Sequence, residues 1–136
     1  MDFLKTMAIA ASGLRAQAGR MRIISENIAN ADSTPTTPGG DPYRRKVPVF
    51  RSEFDRELGA SLVEMGPTQT DNSAFQVKYE PGHPAADASG NVKYPNVNSM
   101  LEMTDMREAQ RSYEANINVI TATRRMLQRT IDILKA

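Results

Sequence analysis

The sequence of 136 residues contains no cysteine, no tryptophan and only one histidine. Without thiols the chain has neither a disulfide framework nor a thiolate metal site, and one imidazole is too few for a conventional zinc site. The lack of cysteine also suits an oxidising compartment. We therefore expect no bound metal and no cofactor.

Aromatic residues and net charge are also scarce. Only 6% of residues are aromatic and the formal net charge is +1, so a deep core and an electrostatic attraction to nucleic acid are both disfavoured. The densest basic run is Arg44-Arg45-Lys46, beside Tyr43 and Phe50. Three charges could contact phosphate, but a solvated strand face or an acidic protein neighbour is favoured. No nucleic-acid partner is expected.

Long apolar runs are missing as well. Nothing approaches the roughly 20 apolar residues of a membrane-spanning helix, so no insertion into a lipid bilayer is expected. Residues 7–14 are apolar enough to resemble a short secretory signal, but Asp2 dilutes the basic start and the helical pattern continues beyond them. If the protein leaves the cytoplasm, we expect a route that uses no cleaved signal peptide.

Glycine and proline are absent from residues 98–136, where apolar side chains recur in steps of three and four. This spacing predicts one long helix with Asn98 as its N-cap. At about 1.5 Å per residue the helix reaches roughly 57 Å, more than the rest of this chain can cover. The residues expected to pack against other subunits are Met103, Met106, Tyr113, Ile117, Ile120, Leu127, Ile131 and Leu134.

A second helix is predicted over residues 2–29, ending near Asn30 in a left-handed cap. Its apolar stripe follows a near heptad, interrupted only by Ser25. Gly13 and Gly19 lie inside it. Either they allow another backbone to pack closely, or they are simply tolerated in a helix of marginal stability. The residues expected to pack against other subunits are Leu4, Met7, Ala11, Leu14, Ala18, Met21 and Ile28.

All eight prolines lie between Pro35 and Pro95, so the middle of the chain cannot be a long helix. Residues 43–50, with Pro48 restricting them to an edge, and residues 75–79 and 92–94 have strand character. Phe54, Leu58, Leu62 and Val63 are expected in a short helical turn or irregular chain.

The fold class that follows is mainly α. Long terminal helices pair as an antiparallel coiled-coil hairpin around a small β-containing irregular insert. The predicted domains are a discontinuous helical polymerisation domain, residues 1–34 and 97–136, and a β-rich outer insert, residues 35–96. Hairpins that pack side to side through different surfaces continue as a tube or helical array, which favours a structural subunit.

Catalytic chemistry has little support. His83 lies near Asp87 but between Gly82 and Pro84, where a structural turn residue is the favoured interpretation. No activated nucleophile and no phosphate-binding glycine loop is evident, so we expect no catalytic residue and no enzyme. An adaptor that binds one partner without polymerising, and an enzyme acting at His83, are the alternatives that remain open.

Several motifs resemble the bacterial flagellar axial proteins, and most closely the C-type proximal rod family. Ala11-Ser12-Gly13-Leu14, Ala16-Gln17 and Ser25-Glu26-Asn27-Ile28-Ala29-Asn30-Ala31 match the signature shared across rod and hook proteins. Residues 79–87, which contain Gly82, His83 and Pro84, and residues 94–98, which contain Pro95, Asn96 and Val97, resemble the C-type rod proteins. Glu102-Met103 and residues 111–116, with Tyr113, Ala115 and Asn116, extend the match. Asn91 departs from the pattern, which usually has an aromatic residue there.

This resemblance implies a non-enzymatic role. Such subunits pass unfolded through the flagellar type III export apparatus and stack helically into the rod that transmits torque across the periplasm. Their terminal helices form the inner layer around the export channel and the insert faces outward. The implied partners are other copies of the chain, other rod proteins and, in transit, the export apparatus.

Overall fold

A computed structural model describes residues 2–136. Its regular elements are two terminal helices and a central region of short strands. Helices account for 47% and strands for 18% of the chain. In chain order the elements are α1 (Phe3–Ala29), β1 (Lys46–Val47), β2 (Phe50–Asp55), β3 (Ala60–Met65), β4 (Gln69–Thr70), β5 (Gln76–Tyr79), β6 (Asn91–Tyr94) and α2 (Ser99–Lys135).

The terminal helices are present, but the prediction that they pair as an antiparallel coiled-coil hairpin is wrong. A coiled coil buries its apolar a and d side chains in a continuous seam. Here Leu4, Met103 and Leu134 of the predicted stripes are exposed, and no residue of those stripes is fully buried. The buried side chains of α2 are Glu102, Ala109 and Thr123, and with the half-buried Asn116 they form a different series at seven-residue intervals. These residues are small or polar, so they do not make an apolar seam.

The strands form three separate antiparallel pairs, β1 with β4, β2 with β3, and β5 with β6. Predicted strand character at residues 75–79 and 92–94 corresponds to β5 and β6, which pair with each other. Residues 43–50 contain only the two residues of β1 and the first residue of β2. Pro48 lies between these two strands, where no ladder hydrogen bond from its nitrogen is required.

The segment that contains Phe54, Leu58, Leu62 and Val63 is a β-hairpin, so the expectation of a helical turn or irregular chain is wrong. Six residue pairs join β2 and β3, from Phe50 opposite Met65 to Asp55 opposite Ala60. The loop closes because the Asp55 carboxylate accepts backbone N–H groups of residues 57 and 58. Gly59 takes the left-handed conformation, with φ of 61°, that returns the chain to β3.

The chain divides into two compact units. The first contains the described residues up to Met21, Val49–Pro67 and Arg107–Ala136, and thus the start of α1, the β2–β3 hairpin and most of α2. Its buried residues are Ala10, Ser12, Ala16, Ala109 and Thr123. Because these side chains are small, helix and hairpin approach closely but bury little apolar area.

The second unit contains Arg22–Pro48 and Thr68–Met106, and so the end of α1, the β1–β4 and β5–β6 pairs and the start of α2. Its apolar core is formed by Ile23, Ile24, Ala85, Val92 and Val97. Asn27 and Glu102 are buried among them and are joined by polar contacts. This unit has the larger side chains and the denser hydrogen bonding of the two.

Helix ends follow side-chain capping. Asp2 caps α1 by accepting the N–H groups of residues 4 and 5, and Asn98 caps α2, as expected, by accepting those of Met100 and Leu101. α1 ends at Ala29, close to the predicted position, but Asn30 is not left-handed. Instead its side-chain amide donates to the Glu26 carbonyl at 2.8 Å, which satisfies one open carbonyl of the last turn.

Candidate subunit-packing surfaces

The end of α2 is largely exposed. From residue 124 onwards no described side chain of the helix is buried or half-buried, and Ile133 and Leu134 are 74% and 81% exposed. We call residues 124–135 the α2 tail. Helices in proteins take most of their stability from packing an apolar face. The α2 tail contains apolar residues that suit such packing, but within the chain these residues remain exposed.

The packing residues predicted on α2 separate into two groups. Met106, Tyr113 and Ile120 are half-buried and lie beside the buried series of the helix. The other five remain exposed, and they are Met103, Ile117, Leu127, Ile131 and Leu134. In the first unit, this group leaves an apolar surface at Ile117, Leu127, Ile131 and Leu134, which are between 37% and 81% exposed.

The residues predicted on α1 are covered only in part. Leu4 and Ala18 are exposed, and the others, Met7, Ala11, Leu14, Met21 and Ile28, are half-buried. In the first unit Phe3, Leu4 and Met7 line a shallow cleft together with Asp2 and Leu127. This cleft brings predicted residues of both helices to one mostly apolar surface.

Motif residues in the first unit mediate close approach. The Ser12 hydroxyl accepts the Val63 backbone N–H at 3.2 Å and so ties α1 to β3. On the neighbouring helix face a Cβ at Gly13 would lie 2.9 Å from the Asn116 amide, so glycine is what allows α2 to come so near. Gly19 similarly faces the Met65 side chain. The small residues of α1 are thus used inside the chain.

Asn27 is the centre of a polar cluster in the second unit. Its amide group donates to the Lys46 carbonyl at 2.9 Å and to the Glu102 carboxylate at 3.2 Å. Its carbonyl oxygen accepts the Tyr43 hydroxyl at 2.8 Å and the Lys46 N–H at 3.0 Å. Burial raises the pKa of Tyr43, although the nearby Lys46 ammonium opposes the shift. One side chain therefore joins α1, β1 and α2.

Arg45 neutralises the buried carboxylate of this cluster. Its guanidinium pairs with Glu102, which is 1% exposed, and lies 3.6 Å from Asp71 and 4.0 Å from Asp105. Burial has the largest single effect and lowers the pKa of Arg45, but the Glu102 hydrogen bond and the charges of Glu102, Asp71 and Asp105 together outweigh it, so the pKa of the guanidinium is raised. The pKa of Asp71 is lowered, first by hydrogen bonds from Ser73 and less by Arg45. Arg45 therefore joins the segment before β1 to the buried Glu102 side chain of α2.

A second ion pair lies at the edge of the cluster. The Lys46 ammonium donates to the Glu26 carboxylate at 2.9 Å. This hydrogen bond and the attraction between the two charges lower the pKa of Glu26 and raise that of Lys46. Since both groups are exposed, solvent screens the pair and its contribution to stability is small.

Asn96 organises the neighbouring loops. Its carbonyl oxygen accepts the Arg45 N–H at 2.8 Å, and its amide donates to the Asp71 carbonyl and the Ser73 hydroxyl, both at 2.9 Å. The flanking motif residues Pro95 and Val97 are buried. This motif therefore holds the β5–β6 end of the chain against the segment before β1.

His83 has a local role in the turn. Its Nδ1 accepts the Ala85 N–H at 3.0 Å, which leaves Nε2 as the protonated nitrogen of the neutral ring. The flanking Gly82 and Pro84 are exposed. Among residues 2–136 there is no group of three histidine, cysteine, aspartate or glutamate side chains placed to hold a metal ion.

Two motif residues, Ala29 and Ala115, are exposed and make no contact that explains them. Conversely, the sequence indicates Glu102 only as part of a family motif and Arg45 only as part of a basic run, and neither pattern predicts the ion pair between them. The seven-residue series from Glu102 to Thr123 is the signal that indicates a polar inner face of α2. Within residues 2–136 no helix has the length and apolar character to cross a membrane.

Comparison with known proteins gives two family matches. Residues 7–35 match the family described as "Flagella basal body rod protein", and residues 88–133 match "Flagellar basal body rod FlgEFG protein C-terminal". The first covers most of α1, and the second covers β6 and nearly all of α2. The matched regions therefore coincide with the two terminal helices.

Similar whole chains carry one name, "Flagellar basal-body rod protein FlgC". The protein from Agrobacterium fabrum is 56% identical over 128 residues, which cover 94% of this chain and 92% of that one. The protein from Salmonella typhimurium is 38% identical over 98% of each chain, and that from Aquifex aeolicus is 35% identical over 99% of each.

The helix faces without partners and these matches define a structural protein of the flagellar basal-body rod. Within that class, the chain belongs to the FlgC family. The predicted resemblance, structural role and location in the basal-body rod are thereby confirmed. Members of this family assemble with other rod proteins.

Proposed function

We propose that this chain polymerises into the rod through the exposed apolar residues of its terminal helices. The observation that carries the proposal is the α2 tail, whose apolar side chains at Leu127, Ile131 and Leu134 are 38%, 37% and 81% exposed. Contiguous exposed apolar surface on a small protein marks a site of association. Neighbouring subunits, both copies of this chain and other rod proteins, cover that surface in the assembled rod.

The proposed role is mechanical and not catalytic. Torque passes through contacts that resist sliding, and interdigitated side chains along helices provide such contacts because packed interfaces are as dense as protein interiors. The helical polymerisation domain of residues 1–34 and 97–136 then serves assembly, and residues 35–96 face outward. Both the assembly role of the helical domain and the outward position of residues 35–96 are part of the proposal.

Export in an unfolded state through the flagellar type III apparatus is part of the same proposal. The first unit supports it because its core consists of small side chains, which contribute little to the free energy of folding. Assembly then adds the apolar burial that the free chain lacks, and stabilises the folded form by mass action. Folding and incorporation into the rod become coupled.

Substitution of Leu127 by Asp tests the proposed function. Leu127 is 38% exposed and belongs to the apolar surface that neighbouring subunits are proposed to cover. We therefore expect the substitution to leave the fold intact but to place a charge in the subunit contact. We expect loss of rod incorporation and of swimming in cells that lack the natural chain, with normal synthesis measured by immunoblot.

Asn118→Asp provides the matched control, because Asn118 is also exposed on α2 but is polar and lies outside the α2 tail. It should swim normally. Normal swimming and normal amounts of Leu127→Asp in purified basal bodies would contradict the proposed role of the tail.

A further inference from the structure

We propose that the α2 tail of a second copy of this chain docks on the acidic face of the β2–β3 hairpin. This inference rests on the proposed function, since it names one contact by which copies associate. It joins the end of one terminal helix to the β2–β3 hairpin, and its evidence is the charge carried by these two exposed elements of the first unit.

The acidic face of the hairpin follows from strand register. Side chains that alternate along a strand share a face, and residues directly opposite on the partner strand share it too. Because Arg51 lies opposite Glu64, one face carries Arg51, Glu53 and Asp55 from β2 together with Glu64 from β3. Three carboxylates therefore face one guanidinium.

The carboxylates of Glu53 and Glu64 have less positive charge beside them than negative charge. The Asp55 carboxylate is engaged by backbone N–H groups of its own loop. The neighbouring carboxyl group of Glu64 has the largest effect on Glu53 and raises its pKa, and the charge of Asp55 acts in the same direction. Both glutamates are exposed. A cation from outside the chain would relieve this repulsion.

The α2 tail carries the complementary charge. It contains Arg124, Arg125, Arg129 and Lys135 against the single carboxylate of Asp132. In the part of the chain that the structure describes, none of these four cations lies within 4.0 Å of a carboxylate. Arg124 and Arg125 line a shallow cleft with Thr121 and Gln128. The guanidinium groups are thus available on one helix surface.

A second copy is the occupant that fits these observations. The acidic and basic surfaces are different patches of one sequence, and they make no ion pair with each other within residues 2–136. A contact between two different patches of identical subunits is heterologous and repeats from copy to copy. Such a contact suits a helical array. Complementary charges across it would fix the register of one copy on the next.

Charge exchange tests the contact in cells. Glu53→Arg with Glu64→Arg, or Arg124→Glu with Arg125→Glu, should lower incorporation into rods by about tenfold or more, because like charges then meet across the interface. The four substitutions combined should restore incorporation, measured by quantitative immunoblot of purified basal bodies. Failure of the combined variant to recover, or unchanged incorporation of either pair, would overturn the proposal.

Arg107→Glu with Arg111→Glu is the matched control, since these arginines are exposed on the same helix but outside the tail. Combined with the hairpin substitutions, this pair should not restore incorporation. Recovery with the control pair would mean that net charge, and not this contact, governs assembly, and would overturn the inference.

A photo-crosslinking amino acid at position 64 identifies the neighbour directly. The expected product in assembled rods joins two copies of the chain, with the crosslink in residues 121–129 of the second copy. A product with another rod protein, a product within one chain, or no product in assembled rods would overturn the proposal. None of these results touches the proposed function, which the Leu127→Asp substitution tests separately.

Discussion

Asn27 illustrates how one residue organises the second unit. The side chain is fully buried, and both its amide and its carbonyl oxygen have two hydrogen-bond partners. Two of these partners are the backbone N–H and carbonyl groups of Lys46. Inside the fold, water cannot easily replace the hydrogen bonds that these groups make to Asn27. Buried polar groups that lose a partner cost more than the hydrogen bond itself contributes.

We therefore expect Asn27→Ala to lower the free energy of unfolding by about 2–4 kcal/mol, because it leaves Lys46, Tyr43 and Glu102 with unsatisfied groups. Urea denaturation followed by circular dichroism measures the change. Asn30→Ala is the control, since the Asn30 amide makes one hydrogen bond to the Glu26 carbonyl, and it should cost about 1 kcal/mol or less. Equal effects of the two substitutions would refute the role assigned to Asn27.

At this scale the sequence identifies residues more readily than their roles. The motif that includes Asn27 and the one that includes Asn96 are visible in the sequence by resemblance alone. Their hydrogen-bond partners lie 16 to 75 residues away for Asn27 and 23 to 51 residues away for Asn96. Spacing along the chain carries no information about partners so distant. Local roles, such as the Asn98 cap, follow from sequence because the partners are two or three residues away.

Among the elements, α1 shows how glycine serves packing. Gly13 faces the Asn116 amide of α2, and the Asn116 side chain is in turn held by a 2.9 Å hydrogen bond to the Ser112 carbonyl. A short side chain fixed in this way has little room to move. Gly19 instead faces the flexible end of Met65, which adapts easily.

Gly13→Ala should accordingly lower the free energy of unfolding by about 1 kcal/mol, because overpacking against Asn116 outweighs the helix propensity of alanine. Combining it with Asn116→Ala removes the obstruction and should recover the loss. Urea titration of the single and double variants measures both effects. If Gly13→Ala alone were stabilising, the close approach described for these two residues would be wrong.

The elements also mark where periodicity succeeds and fails as a predictor. It places both helices and the β5–β6 strands, because a face repeated every 3.6 or two residues is a local property. It misplaces the seam, since exposed Leu127 and half-buried Ile120 belong to the same apolar stripe. The β2–β3 hairpin is missed because its strands are largely exposed and show little alternation. Its signals are the Asp55 turn and Gly59.

For the molecule as a whole, the apolar surface of the terminal helices and the charged surface of the hairpin are both left without partners. Neither feature is needed to fold the two compact units, whose buried residues lie elsewhere. A chain of the FlgC family has its working environment in an assembly, where such surfaces are covered. On our proposal the α2 tail is the part of the chain that depends most on neighbouring subunits.

Hydrogen exchange of the α2 tail, compared between dilute chain and purified rods, tests this dependence most directly. Amides without tertiary packing open readily, so residues 124–135 should exchange much faster in the dilute chain than those of the second unit. In rods the same amides should be strongly protected. Equal protection of the tail in the dilute chain and in rods would contradict the account, because the tail would then need no neighbouring subunit to cover it.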